Sequence, residues 1–376
     1  MINCEDFYKL LKTNNIDFFT GVPDSLFKNF LAFLHQNVKD ENNIVAANEG
    51  AAMAIAAGRY LATGKIPFIY MQNSGLGNAI NPLTSLLDKD VYQIPALLFI
   101  GWRGEPGKHD EPQHLKQGKI TLKLLETLGI PYSILPDSLS ECEIVVNQLI
   151  TEIKNSSIPH ALIAQKNIFN KCTFETQQEQ FEMDRETALG IVMNELTDKD
   201  VVLSTTGKIS RELYDYRNRN NQSHEQDFLN VGSMGHTSSI ALSIAQAHPD
   251  RRVFCLDGDG ALIMHMGSLA VIASNSPGNF KHILFNNGSH DSVGGFPNCG
   301  LKIDMPSLAI ACGYKTSESV KTSQDLKKYL SNIIKSEGPV LLEIKIKKGG
   351  RSDLCRPSEK PVENKKNFMN FLIGKK

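Results

Sequence analysis

The sequence contains no CxxC pair. Its seven cysteines stand singly at positions 4, 142, 172, 255, 299, 312 and 355, an odd number without zinc-ligand spacing, which excludes a disulfide framework and a structural zinc site and fits reduced thiols in a cytoplasm. No apolar run approaches the ~18 residues of a membrane-spanning helix. The N-terminal MINCEDFYKLLKTNN reads as an amphipathic helix with early acids, not as a signal-peptide core. Forty basic residues against 41 acidic ones leave a net charge of -1, so neither a nucleic-acid surface nor a membrane face is indicated. What remains is ordinary: 376 residues, 41% hydrophobic and 22% charged, enough for two domains with a core each.

Apolar runs alternate with helical patterns through both halves. In the first, IDFFTGVP, NNIVAA, KIPFIYMQNSG and IPALLFIGW read as strands, and DSLFKNFLAFLHQN and EGAAMAIAAGRYLATG as helices. In the second, DVVLSTTG, RRVFCL and FKHILFNNG read as strands, and RETALGIVMNEL, SRELYDYR and HTSSIALSIAQAH as helices. This alternation predicts an α/β fold of two doubly wound, mostly parallel sheets. The polar segment 171–183 reads as a linker between domains at 1–170 and 184–376, with no middle domain. FFTGVPDSLF and VVLSTTGKIS echo one another, each a strand, a glycine turn and a helix start. The charged KIKKGGRSDLCRPSEKPVENKK reads as a surface arm or lid.

One stretch demands an explanation: CLDGDGALIMH, residues 255–265. A dinucleotide fingerprint would need a third glycine where Ile263 stands. A calcium loop would need an oxygen ligand where Ala261 stands. STTGKISRE, 204–212, is no Walker loop either, since Ile209 follows Gly207-Lys208. After GDG, residues 261–285 separate Gly260 from Asn286-Asn287-Gly288. That length suits a helix and a return strand, which would bring both loops to the carboxyl edge of one sheet. Asp259, with Asn286 or Asn287 and a following backbone carbonyl at Ser289, forms a hard-oxygen set with one carboxylate, suited to magnesium shared with phosphate oxygens. A helix starting near Ala261 would aim its free N–H groups at the same anion. The spacing therefore points to a magnesium–diphosphate clamp. Glu49, in AANEGAAMAIAAG, either complements a helix N-terminus or has a chemical role. Met234, in LNVGSMGHTSSIALSIA, is either a core filler or a support for a ligand.

GDG followed by an asparagine pair resembles the thiamine diphosphate-binding motif. The resemblance implies a cofactor set of Glu49, Asn73, Gly207, Gly232, Ser233, Met234, Gly258, Asp259, Gly260, Ala261 and Asn287, with Mg2+ on Asp259, Asn286, Asn287 and Ser289. Glu49 would stabilise the imino tautomer of the pyrimidine, and Met234 would support the bent cofactor. The two-domain plan, with FTGVPDSLF, GWRGEPGKHDEPQHLKQG, NNGSHDSVGG and GGRSDLCRP, resembles the decarboxylases of phosphonopyruvate and sulfopyruvate along essentially the whole chain. It departs from that pattern at Phe296, where glutamine is expected, and at Cys355, where glycine is. The implied reaction is non-oxidative decarboxylation of 3-phosphonopyruvate to phosphonoacetaldehyde in phosphonate biosynthesis; a sulfonate substrate and a carboligase are the alternatives. Acid–base candidates are Asp24, Ser25, His109, Asp110, His114 and His290. Arg103, Lys108, Arg351 and Arg356 are the candidate cations for the anionic tail. The resemblance also implies a homodimer or dimer of dimers with sites at the subunit interface.

Overall fold

A computed structural model describes residues 1–173 and 181–374. Two compact units emerge, Met1–Thr176 and Gln177–Lys376; most of the expected linker, 174–180, lies outside the described residues. The first unit holds six strands: β1 (Phe19–Gly21), β2 (Asn43–Val45), β3 (Phe68–Gln72), β4 (Leu97–Gly101), β5 (Tyr132–Ile134) and β6 (His160–Ala164). The second holds β7 (Val201–Ser204), β8 (Asp227–Leu229), β9 (Val253–Gly258) and β10 (Phe280–Asn286). After a two-residue hairpin pair, β11 (Ser289–His290) and β12 (Phe296–Pro297), come β13 (Thr316–Val320) and β14 (Val340–Lys345).

The sheet orders are β2-β1-β3-β4-β6-β5 and β13-β14-β10-β9-β7-β8, and every pairing within the two sheets is parallel. Reversing the second list and numbering its strands from β7 yields the same order as the first. The sequence echo is explained by this correspondence, since FFTGVPDSLF holds β1 and VVLSTTGKIS holds β7.

Central strands LLFIG and FKHILFN are buried at every residue, as expected where helices cover both faces. In the first unit, small residues Ala52, Ala56 and Ala57 let the helix Glu49–Thr63 approach Ile69, Leu98 and Ile163 closely. The opposite face carries an aromatic cluster in which Phe7, Phe30, Phe68, Phe99 and Phe169 meet, with Phe7 edge-on to Phe30 at 4.9 Å. Polar groups in the buried strands of the second unit are satisfied: the Lys281 ammonium donates to the Ser336 carbonyl, and His282 lies between Asp257 and Tyr314.

Two expectations need correction. The C-terminal segment 345–366 is not an arm alone: it starts on Lys345, the last residue of β14, and its end enters a helix, Pro361–Ile373. That helix is pinned to edge strand β8 by Asn364, which accepts from the Leu229 N–H at 3.1 Å and donates to the Asp227 carbonyl at 2.9 Å. The helix after β9 starts at Asp259, not Ala261, and ends at Met264; another follows at Ser268–Asn275. Among the described residues no helix is long and apolar enough to cross a membrane.

Candidate cofactor and metal site

In the second unit, the loops after β7, β9 and β10 meet at the carboxyl edge of the sheet. There a cleft is lined by Thr205, Thr206, Lys208, Met234, Gly258–Ala261, Asn287 and Ser289–Ser292, with Arg185. This is the crossing point where β7 sends one connection to β8 and the sheet continues the other way to β9, the usual ligand position of an open parallel sheet. Asp259 opens the helix that follows β9 and is 4% exposed. Burial lifts its carboxyl to about 6, against hydrogen bonds from Gly260, Asn298, Gly288 and Ser289. The Ser289 N–H reaches Asp259 Oδ2 at 3.2 Å, which fastens the loop after β10 to the loop after β9.

The asparagine pair divides its labour. Asn286 turns inward: its amide donates to Glu343 at 2.6 Å and to the Gly300 carbonyl at 3.0 Å, and its oxygen accepts from the Gly288 N–H. Asn287 lines the cleft; its amide donates to Asp291 and its oxygen accepts from the Ser289 N–H at 3.0 Å. Of the two expected asparagine ligands, Asn287 is the one facing the cleft with Asp259. Met234 reaches the GDG turn, its Cε 3.4 Å from where a Cβ on Gly260 would stand, and His290 Nδ1 lies 2.8 Å from that point. Any side chain at 260 would therefore displace His290. Burial lowers the His290 imidazole to about 4. Gly232 is partly buried and Ser233 is exposed with φ +49°.

The loop after β7 has the features of an anion site. Gly207 takes φ +104° as N-cap of the helix Lys208–Arg219, whose first turn has no side-chain cap. Thr205 Oγ1 is buried with no hydrogen-bond partner among the described residues, and Lys208, depressed by burial, lines the same cleft. A buried orphan hydroxyl, an uncapped helix N-terminus and a half-buried ammonium fit a diphosphate. Asp259 and Asn287 beside them offer the oxygen donors magnesium takes.

In the first unit, Glu49 is the first residue of the helix after β2 and is 5% exposed. Its Oε2 accepts from Asn78 Nδ2 at 2.8 Å, while a Cβ on Gly75 would stand 2.4 Å from Oε1. Asp24, after β1, is fully buried; Oδ1 accepts from the Ser25 N–H and Oδ2 has no partner among the described residues. Burial raises its carboxyl to about 6, against the charge of Arg103. Arg103 is gripped by Asp110 at 2.8 and 2.5 Å and donates to Ser25 Oγ at 3.0 Å. Against the push of burial, Arg103 and the Glu111 and Gly104 N–H groups hold Asp110 well below the carboxylate range.

Several expected residues stand apart from both clusters. The Asn73 amide donates to the Arg103 carbonyl and to Thr121, and its oxygen accepts from the Arg103 N–H, so Asn73 braces the ends of β3 and β4 where a cofactor contact was expected. His109 and Lys108 are exposed, the latter paired with Glu105 at 2.8 Å; His114 is half-buried on the next helix. Arg351, expected on the substrate, is tied to Glu186, Asp215 and Asp353; Arg356 and Cys355 are exposed. Phe296 is buried in the hairpin opposite His290. The sequence reading passed over Thr205, Arg185 and Asp291. Asp291 could have been found from its place in NNGSHD, whereas nothing local marks Arg185. Among the described residues, the one close group of soft and hard metal donors is Cys255, Asp257 and His282. It lies in the core on the neighbouring strands β9 and β10, with His282 hydrogen-bonded to Asp257 and Tyr314, and its donor set does not suit magnesium.

Models of two families match the chain: the N-terminal thiamine pyrophosphate-binding domain of thiamine pyrophosphate enzymes over residues 4–123, and the C-terminal one over 205–344. The chain is 35% identical to a phosphonopyruvate decarboxylase of Streptomyces viridochromogenes, covering 88% of this chain and 85% of the other. A phosphonopyruvate decarboxylase of Streptomyces hygroscopicus is 32% identical over 99% of this chain and 94% of its own length. A sulfopyruvate decarboxylase of Methanosarcina acetivorans is 29% identical, covering 85% of each.

Proposed function

The chain belongs to the thiamine pyrophosphate enzymes, in the family of the phosphonopyruvate decarboxylases, and from that premise we propose that it decarboxylates 3-phosphonopyruvate to phosphonoacetaldehyde and carbon dioxide. Thiamine diphosphate and Mg2+ are its cofactors, and the reaction serves phosphonate biosynthesis in the cytoplasm. The observation that carries the reading is the convergence of Asp259, Asn287 and the orphan hydroxyl of Thr205 on one cleft.

When bound, the cofactor supplies a carbon nucleophile and a sink for the electrons left as carbon dioxide departs. The protein does the rest. Asp259, Asn287 and the Ser289 carbonyl hold the cation; Thr205, Lys208 and the N–H groups after Gly207 hold the diphosphate. Met234 presses from the GDG side. Glu49 would set its carboxyl group against a ring nitrogen of the cofactor, and Gly75 leaves it room. Asp24, lifted to about 6, gives or takes a proton near neutral pH, and His290, lowered to about 4, is neutral there. Arg103, held flat by Asp110 beside Ser25, faces the anionic tail of the substrate.

Glu49 and Asp259 lie on different units, and the family resemblance supports a homodimer or dimer of dimers in which each site takes Glu49 from one protomer and Asp259 from its partner. Purified protein with thiamine diphosphate and Mg2+ should convert 3-phosphonopyruvate with a higher kcat/KM than sulfopyruvate or pyruvate. A higher value for either rival overturns the substrate. Mixing inactive Glu49→Gln and Asp259→Ala proteins should restore activity as subunits exchange; no recovery after proven exchange would place each site within one chain.

A further inference from the structure

We propose that Asp291 is a positioning residue that aims Asn287 and Ser289 at the cation, and that it receives its own position from the segment after β14. The proposal rests on the metal-site reading above. One carboxylate gathers four groups. Its Oδ2 accepts from Asn287 Nδ2 at 2.8 Å, from Arg185 Nη1 at 3.1 Å and from the Gly349 N–H at 3.0 Å; its Oδ1 accepts from Ser289 Oγ at 3.2 Å. Asn287 and Ser289, two of the cleft-lining residues of the NNGSHD loop, are thus both oriented by a side chain that is itself fixed from outside the loop.

The fixing is two-sided. Arg185, 5% exposed, is locked on Glu212 at 2.6 and 3.0 Å. While its Nη1 meets Asp291, its Nη2 donates to the Gly349 carbonyl at 3.0 Å. Gly349 is therefore held through both its N–H and its C=O, at φ +95°, where any other residue is strained. Two positions on, Arg351 binds Glu186 and Asp215 on the helices Arg185–Asn194 and Lys208–Arg219. A surface segment, 349–351, is in this way stapled to the rim of the cleft and holds the carboxylate that sets the ligand amide. With Nδ2 on Asp291, the Asn287 oxygen lies on the other side of the amide, where it accepts from the Ser289 N–H at 3.0 Å and keeps a second lone pair for a cation. Partners of this kind, one bond removed from the metal, typically govern affinity by 10–100-fold.

The test measures cation binding without turnover. Mn2+ binding to protein saturated with thiamine diphosphate is followed by the electron paramagnetic resonance of the free ion, and apo-protein melting reports the fold. Asp291→Asn keeps the shape but loses the charge and one acceptor; its Mn2+ Kd should rise about 10–100-fold with apo melting little changed, and activity should return at high Mg2+. Arg351→Ala, which loosens only the exposed staple, should raise the Kd by a few-fold and speed hydrogen exchange at the Gly349 amide. Wild-type Mn2+ affinity in folded Asp291→Asn overturns the proposal. Should Asp291→Asn fail to fold, an unchanged Kd in Arg351→Ala despite faster exchange at Gly349 overturns it instead. Asn287→Ala separates the two readings: if that variant also binds Mn2+ like wild type, it is the metal site that is wrong, and if it loses binding while Asp291→Asn does not, the positioning role alone falls.

Discussion

The two units share one strand order but equip their carboxyl edges in opposite ways. Position by position, the loop after β1 holds Asp24 and the loop after β7 holds Thr205 and Lys208. The loop after β2 begins the helix of Glu49, and the loop after β8 leads to Met234. After β3 stands Asn73, after β9 Asp259; after β4 come Arg103 and Asp110, after β10 Asn287 and Asp291. The second edge is rich in donors and hard oxygens, a place for a cation and its counter-anion. The first sets two carboxyl groups in dry surroundings, each against a glycine whose missing Cβ makes the room: Gly75 for Glu49, and Gly101 for Asp24, where an added Cβ would stand 2.0 Å from Oδ2. On the proposed function, one scaffold yields a binding edge and a proton-handling edge, because function sits in the loops while the strands supply only the frame.

If that division is right, the largest effect belongs to the proton-handling edge. Glu49→Gln should retain cofactor within about ten-fold, yet slow deuterium exchange of the thiazolium proton by about 10²–10⁴; unchanged exchange would return Glu49 to helix capping. On the binding edge, Asp259→Ala should weaken Mg2+-dependent thiamine diphosphate binding by about 10²–10³-fold in calorimetry, as expected when one partner of a buried charge pair is removed, with the fold kept. The comparison breaks if Asp24→Asn does the same.

Asp24 should instead appear in stability. Burial lifts its folded carboxyl to about 6, above the ~3.9 of an unfolded chain. The folded state therefore holds the proton more tightly, so stability is greatest below about pH 4, declines as pH rises to about 6 and is level above. The span is about 3 kcal/mol. Urea unfolding of Asp24→Asn against wild type at pH 4 and pH 7 should show the variant gaining that difference at the higher pH; parallel behaviour at both would mean the carboxyl is solvated. The smallest effect is expected from Lys208→Met. It should cost about 1.5–3 kcal/mol of inorganic pyrophosphate or cofactor affinity and leave KM for 3-phosphonopyruvate within a few-fold. The reverse pattern would move Lys208 to the substrate.

Much of this division was legible before any coordinates. GDG and NNG are adjacent to strands whose runs are unmistakable, so both loops could be assigned to one sheet edge by spacing alone. Short or polar strands were not: YSI has three residues and TSESV is largely polar, and each is a strand only because its sheet neighbour supplies the ladder. Side-chain aim was also beyond reach. Nothing in Asn-Asn says which amide turns to Glu343 and which to the cleft; that follows from Glu343 arriving on β14, 57 residues later. Arg351 has the residue type a phosphonate would select, but its partners in the structure, carboxylates on two helices distant in sequence, could not be read from its own stretch.

Cys255 and Cys142 extend the comparison to opening motions. Each is fully buried, Cys255 on a central strand of the second unit and Cys142 on a helix of the first. Burial drives the Cys255 thiol well above its ordinary value, and the Cys142 thiol to about 12. Neither can meet an alkylating reagent as thiolate until its surroundings part, whereas the exposed Cys299 and Cys355 react at once. The molecule thus contains its own pair of clocks, one per unit. Mass-resolved thiol labelling under native conditions would time how often each sheet lets go, and whether adding magnesium and diphosphate slows one clock while leaving the other running.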